Sequence, residues 1–140
     1  MNSYVLGFLF STNGSVWLIR KTKPAWQNGK LNGIGGKIEL NESAKDAMER
    51  EFREEAGLTI TDWTWYATIT DDKNYEVYCY YSYCDETPIS MTDEKVTLCY
   101  ICSLPLDIIP NVSWLIAMAL SFKRGEHADR FYVKEMYKVD

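Results

Sequence analysis

A chain of 140 residues is long enough to bury one core, and its 46% hydrophobic and 25% charged residues are the proportions of a globular protein. A net charge of −5 excludes general electrostatic attraction to nucleic acid or to anionic membrane. If the protein acts on phosphates, bound cations or local basic residues must supply the attraction.

The first residues, MNSYVLGFLF, carry no basic segment ahead of the apolar run, and Asn13-Gly14 interrupts it soon afterwards. They predict a strand pair, YVLGFLF and VWLIRK joined by the hairpin signal STNG, and neither a signal peptide nor a membrane span. A cytoplasmic address is the expectation that follows. The stretch TKPAWQNGKLNGIGGK is rich in Gly, Asn and Lys and is expected to be a loop, with KIEL as one short strand after it. Ser43 is placed to cap a helix over AKDAMEREFREEA, Ala44 to Ala56, which Gly57 should close.

LTITDWTWYATIT and YEVYCYYSYC predict two strands around the turn DDKN. A polar loop, DETPISMTDEK, leads to the strand VTLCYIC. LPLDIIP then introduces an apolar helix in NVSWLIAMALSFKRG, with Asn111 and Gly125 at its ends. The tail ADRFYVKEMYKV either adds a last strand or packs on the surface. Cys79, Cys84, Cys99 and Cys102 read as free thiols in strands, because neither of their segments has the glycines of a tight zinc-holding turn. There is no internal repeat and no linker. The expectation is one mixed α/β domain over residues 1–140.

Projected at about 100° per residue, the helix from Ala44 has an apolar stripe of Ala44, Ala47, Met48, Phe52 and Ala56. Glu51 and Glu55 fall inside that stripe, and Glu54 lies on its border. Glu49–Arg53 and Arg50–Glu54 can pair one turn apart, but Glu51 and Glu55 have only each other at that spacing. Unpaired carboxylates facing a core cost several kcal/mol or take up protons. Clustered carboxylate oxygens are the ligand set of hard cations such as Mg²⁺ or Mn²⁺, so the pattern points to a metal site.

Gly36, Glu42, Arg50-Glu51-Phe52, Glu54-Glu55 and Gly57-Leu58 match every fixed position of the pattern G-x5-E-x7-R-E-U-x-E-E-x-G-U, with U an apolar residue. The chain therefore resembles the Nudix hydrolase family, in its MutT-like form. The resemblance implies an α/β/α sandwich around a central mixed β-sheet. It also implies metal-dependent hydrolysis of a nucleoside diphosphate linked to another group, by water attack on phosphorus. Glu51, Glu54 and Glu55 would then hold Mg²⁺ or Mn²⁺, with Glu51 the first candidate for general base. Arg50 would orient a catalytic glutamate, Glu42 would fix the loop, and Gly36 and Gly57 would serve the geometry of the motif. Glu94, in MTDEKVTL, matches a further acid that family members carry beyond the motif, as base or as an extra ligand; it could equally be a solvated loop acid.

LNGIGGK resembles the corresponding stretch of triphosphate-cleaning members. On that likeness Asn32 would read a base edge, Lys37 would contact phosphate and Trp26 would stack on the base. The plainer alternatives are a turn residue, a solvated strand end and a packing anchor. The substrate implied is a (d)NTP or a modified (d)NTP, cut to monophosphate and pyrophosphate. The alternatives are a dinucleoside polyphosphate, ADP-ribose, or a module that binds nucleotide without cutting it. The expected partner is a small nucleotide, with no nucleic acid and no membrane, on a monomer or a homodimer.

Overall fold

The computed structural model describes residues 1–136, and the final residues of the tail, 137–140, lie outside the described part. The chain opens with β1 (Asn2–Phe10) and β2 (Ser15–Arg20), the hairpin that its apolar runs predict. Alternation along β1 then sets the layers. Val5 and Leu9 enter one core, while Phe8 and Phe10 enter the other.

The segment expected to be a loop is one up to Lys30, but its last part is ordered into the sheet. A 3-10 turn at Ala25–Gln27 is followed by β3 (Leu31–Asn32) and β4 (Ile34–Lys37). β4 runs antiparallel to β1, with Tyr4 opposite Lys37 and Gly7 opposite Ile34. Its glycines weaken the strand signal in the sequence, yet they allow the approach: a Cβ at Gly35 would stand 1.9 Å from the Val5 carbonyl oxygen. The KIEL strand is correspondingly displaced, since the ladder ends at Lys37 and Asn41 turns with a φ of 64°.

The motif helix, α1 (Ala44–Ala56), forms as predicted. Ser43 Oγ accepts the Asp46 amide, and Gly57 ends the helix with a φ of 74°. Ala47, Met48, Phe52 and Ala56 are buried against Val5, Leu9, Ile34 and Trp63. Phe52, fully buried and 5.2 Å from the Trp63 ring, is the anchor of this layer, and Phe52→Ala costs about 3–5 kcal/mol by cavity formation.

β5 (Thr64–Thr70), β6 (Tyr75–Tyr83) and β7 (Val96–Tyr100) complete most of the sheet, with β6 parallel to β1 and β7 antiparallel to β2. β5 starts six residues later than predicted, at Thr64 and not Leu58. Ile60 and Trp63 ahead of it are spent on packing against α1. β7 ends at Tyr100, and Ile101–Ser103 forms a 3-10 turn. The second helix, α2 (Val112–Lys123), buries Val112, Leu115, Ile116 and Ala119 on the opposite sheet face, with Phe8, Phe10, Leu18 and Tyr66. The tail adds β8 (Phe131–Lys134), parallel to β5. A mixed sheet with one helix on each face is the α/β/α arrangement that the motif implied. Among the described residues no helix is long and apolar enough to cross a membrane.

Candidate functional site

Arg50 organises the motif. Its Nε and Nη2 donate to the Glu42 carboxylate at 2.7 and 2.9 Å, and Nη2 also donates to the Lys37 carbonyl at 3.1 Å. Nη1 reaches Glu51 at 2.9 Å and Glu54 at 3.3 Å. One guanidinium thus ties the loop after β4 to two carboxylates of α1. The hydrogen bonds to Glu42 and Glu51 push the Arg50 pKa further up, and the bond from Arg50 holds Glu42 below the usual carboxylate range. Glu51 is therefore not uncompensated, as the one-turn spacing suggested. Its immediate neighbour reaches it. The Glu49–Arg53 pair is not among the ion pairs of the described residues.

Glu51 lies over Gly36. A Cβ at Gly36 would be 2.4 Å from both Cδ and Oε1 of Glu51, so only glycine leaves room for the carboxylate against β4. Burial raises the pKa of Glu51, opposed by the bond from Arg50. Burial likewise raises Glu55, opposed by a bond from the Thr92 hydroxyl at 3.2 Å. Glu54 is the most open of the three, its side chain 54% exposed.

Glu94 is 4% exposed, so the solvated-acid reading does not hold. Its carboxylate accepts from Lys21 Nζ at 3.1 Å, the Thr22 amide at 2.7 Å and the Lys23 amide at 3.4 Å. Burial alone would raise its pKa; these donors outweigh it and leave Glu94 low. Its charge also falls on Glu55 and adds to the raised pKa there.

Beside β4 a cavity of about 830 Å³ is lined by Tyr4, Trp26, Asn32, Gly36, Lys37 and Asn111, among others. Trp26 is 64% exposed at its rim, which argues against an anchor packed onto the sheet. Asn32 has local partners: Nδ2 donates to Gln27 at 3.1 Å, and Oδ1 accepts the Gly33 amide at 2.8 Å. Lys37 stands exposed where β4 ends, between cavity and helix.

Sequence reasoning took Asn111 only for a helix cap. It occupies that position, but with helical backbone angles and no capping bond. Among the described residues its buried Oδ1 has no hydrogen-bond partner. Lys21 is another lining residue that sequence reasoning passed over. Neither had a local signal, because only the fold brings β2 and the start of α2 to one cavity. Among the described residues, no three His, Cys, Asp or Glu side chains already stand together as a metal-binding group.

The NUDIX domain family profile matches residues 2–119. The chain is 35% identical over 54 residues to the 8-oxo-dGTP diphosphatase of Escherichia coli (strain K12), a match spanning 39% of this chain and 42% of that protein's length. Among solved structures, a MutT NUDIX hydrolase from Burkholderia pseudomallei superposes with a TM-score of 0.72 at 17% identity, over 84% of this chain and 96% of that one. An ADP-ribose pyrophosphatase from Streptococcus suis 89-1591 gives 0.73 at 20% identity, over 94% and 98%. At such identities the structures speak for the fold alone. The profile, however, runs from β1 into α2 and takes in both faces of the sheet as well as the glutamate helix, and on that ground the chain belongs to the NUDIX family.

Proposed function

We propose that this protein, as a single catalytic domain, hydrolyses a nucleoside diphosphate linked to a further group, and foremost a (d)NTP or modified (d)NTP. The products are a monophosphate and pyrophosphate. One observation carries the reading: Gly36 and Lys37 belong both to the cavity and to the carboxylate site. Both line the cavity, Glu51 rests against Gly36, and Arg50 holds the Lys37 carbonyl. A nucleoside in the cavity would direct its phosphates past Lys37 toward α1.

The donor set suits Mg²⁺ or Mn²⁺. Glu51, Glu54 and Glu55 offer acceptor-only oxygens, and burial disfavours the charge on Glu51 and Glu55 unless a cation offsets it. When bound, such an ion polarises a phosphoryl oxygen and acidifies a water. Glu51, held by Arg50 at 2.9 Å, would take a proton from the attacking water. Water attack on either phosphorus flanking the α–β bridging oxygen would break its bond to that oxygen, and the departing pyrophosphate or nucleoside monophosphate would keep the electron pair. Arg50 and Glu42 fix Glu51. Glu94, its oxygens already engaged, acts as a carboxylate that holds Lys21 at the cavity wall. Trp26 stacks on the base, Lys37 contacts phosphate, and Asn32 and Asn111 meet the base edge.

The reading places the protein in the cytoplasm, as a monomer or homodimer that acts on free nucleotides and not on nucleic acid or membrane. The test is release of phosphate or pyrophosphate, with Mg²⁺ or Mn²⁺, from nucleoside triphosphates, ADP-ribose and dinucleoside polyphosphates. A triphosphate should be the best substrate, and activity should vanish on chelation. Hydrolysis of none of these anhydrides would sink the enzymatic reading, and a clear preference for ADP-ribose would sink the substrate.

A further inference from the structure

Residues 89–94 lie against the C-terminal end of α1. The Ile89 amide donates to the Ala56 carbonyl at 2.8 Å, and the Met91 amide donates to the Glu55 carbonyl at 3.1 Å. These bonds satisfy carbonyls that the end of a helix leaves without intrahelical partners. Met91 Sδ sits 3.2 Å from where a Cβ on Gly57 would be, so the strap passes directly over the helix terminus.

Thr92 follows on this strap, and its hydroxyl faces two ways. It donates to Glu55 Oε2 at 3.2 Å and accepts the Glu94 amide at 3.1 Å. One hydroxyl thus joins the Glu55 carboxylate to the residue whose own carboxylate holds Lys21. No basic side chain pairs with Glu55 among the described residues. Thr92 is the group that orients it.

We infer that Thr92 is a positioning residue for the divalent-cation site: its hydroxyl, fixed by the Glu94 amide, aims the Glu55 carboxylate at the metal. The inference rests on the proposed metal role of Glu55. A carboxylate on a flexible side chain binds better when a neighbour restricts its orientation, and loss of such outer partners weakens metal affinity by about 10–100-fold. The hydroxyl proton has two acceptors within reach, Glu55 Oε2 at 3.2 Å and the Glu94 carbonyl at 3.5 Å, and the carboxylate is the nearer and the charged one.

Mn²⁺ titration of the purified protein, read by electron paramagnetic resonance of the free ion, measures affinity without any turnover. Thr92→Val keeps the shape and removes the donor, Thr92→Ser keeps the donor, and Glu55→Gln removes the proposed ligand charge. Ser90→Ala is the loop control, because Ser90 Oγ accepts the Val96 amide at 2.9 Å and makes no bond to Glu55. The expected result is a rise in Kd of about tenfold or more for Thr92→Val and Glu55→Gln, with Thr92→Ser within about twofold of wild type. Ser90→Ala should lower the melting temperature at most and leave Kd unchanged. Wild-type affinity in Thr92→Val beside a weakened Glu55→Gln overturns the role of Thr92 and leaves the metal reading standing. Equal weakening in Ser90→Ala and Thr92→Val also overturns it, as general loosening of the strap. Wild-type affinity in Glu55→Gln removes Glu55 from the metal site and takes the inference with it.

Discussion

Glu42 meets Arg50 side-on, one carboxylate oxygen 2.7 Å from Nε and the other 2.9 Å from Nη2. This planar pair leaves Nη1 free to reach Glu51, so the loop residue Glu42 sets the orientation of a carboxylate nine positions further along the chain. A lysine cannot reproduce the fork. Arg50→Lys should lose the two-pronged contact and cost about 1.5–3 kcal/mol of stability, as hydrogen bonds to charged groups do. Urea denaturation measures that cost, and turnover should fall with it. A variant of wild-type stability and turnover would show that a point charge suffices at this position.

Gly36→Ala tests the contact with Glu51. The added methyl overlaps the end of a flexible side chain and not backbone, so the fold should persist while the carboxylate is displaced. Turnover should drop more than about tenfold, the effect of moving a catalytic group out of line, with little change in the melting curve. Full activity in Gly36→Ala would remove Glu51 from the chemistry.

Stability in the absence of metal should depend on pH in a defined sense. Burial holds the folded pKa of Glu51 and Glu55 above their ordinary value of 4.5, so the folded state binds the extra proton. Their contribution is complete below pH 4.5 and is lost as pH rises through the raised values. Glu94 has the opposite sign. Its folded pKa is low, so its contribution is present above the unfolded value and lost on acidification. Melting curves in chelator should therefore show Glu55→Gln more stable than wild type near neutral pH, and Glu94→Gln less stable. A Glu55→Gln protein that melts below wild type at neutral pH would contradict the assignment.

The two asparagines of the cavity should respond differently. Asn32 makes two local bonds besides meeting the base edge, so Asn32→Ala should lose about 1–3 kcal/mol of stability and also shrink discrimination between bases. Among the described residues Asn111 Oδ1 has no partner to lose, so Asn111→Ala should leave the melting temperature unchanged or raise it. If Asn111 meets the base edge, discrimination between bases should shrink. Steady-state kinetics on four triphosphates, beside melting curves, distinguish these effects; undiminished base preference in Asn111→Ala would exclude it as a reader.

Mg²⁺ should raise the melting temperature progressively with concentration, because binding relieves charge held only by the folded state. Sodium at matched ionic strength should do much less. Equal shifts from the two salts would reduce the effect to screening.

The sequence by itself determined α1, its buried stripe, both of its ends and the family, because these follow from local periodicity, from capping side chains and from a motif within one continuous stretch. Tertiary structure alone decided that the end of the glycine-rich segment is strand, since Gly35 and Gly36 read as loop until β1 lies against them. It decided that Glu94 is buried and held by residues 21–23, that Thr92 reaches Glu55, and that Asn111 turns an unpartnered oxygen inward. Each of these depends on groups distant in sequence, where spacing along the chain carries no information about which polar atoms meet.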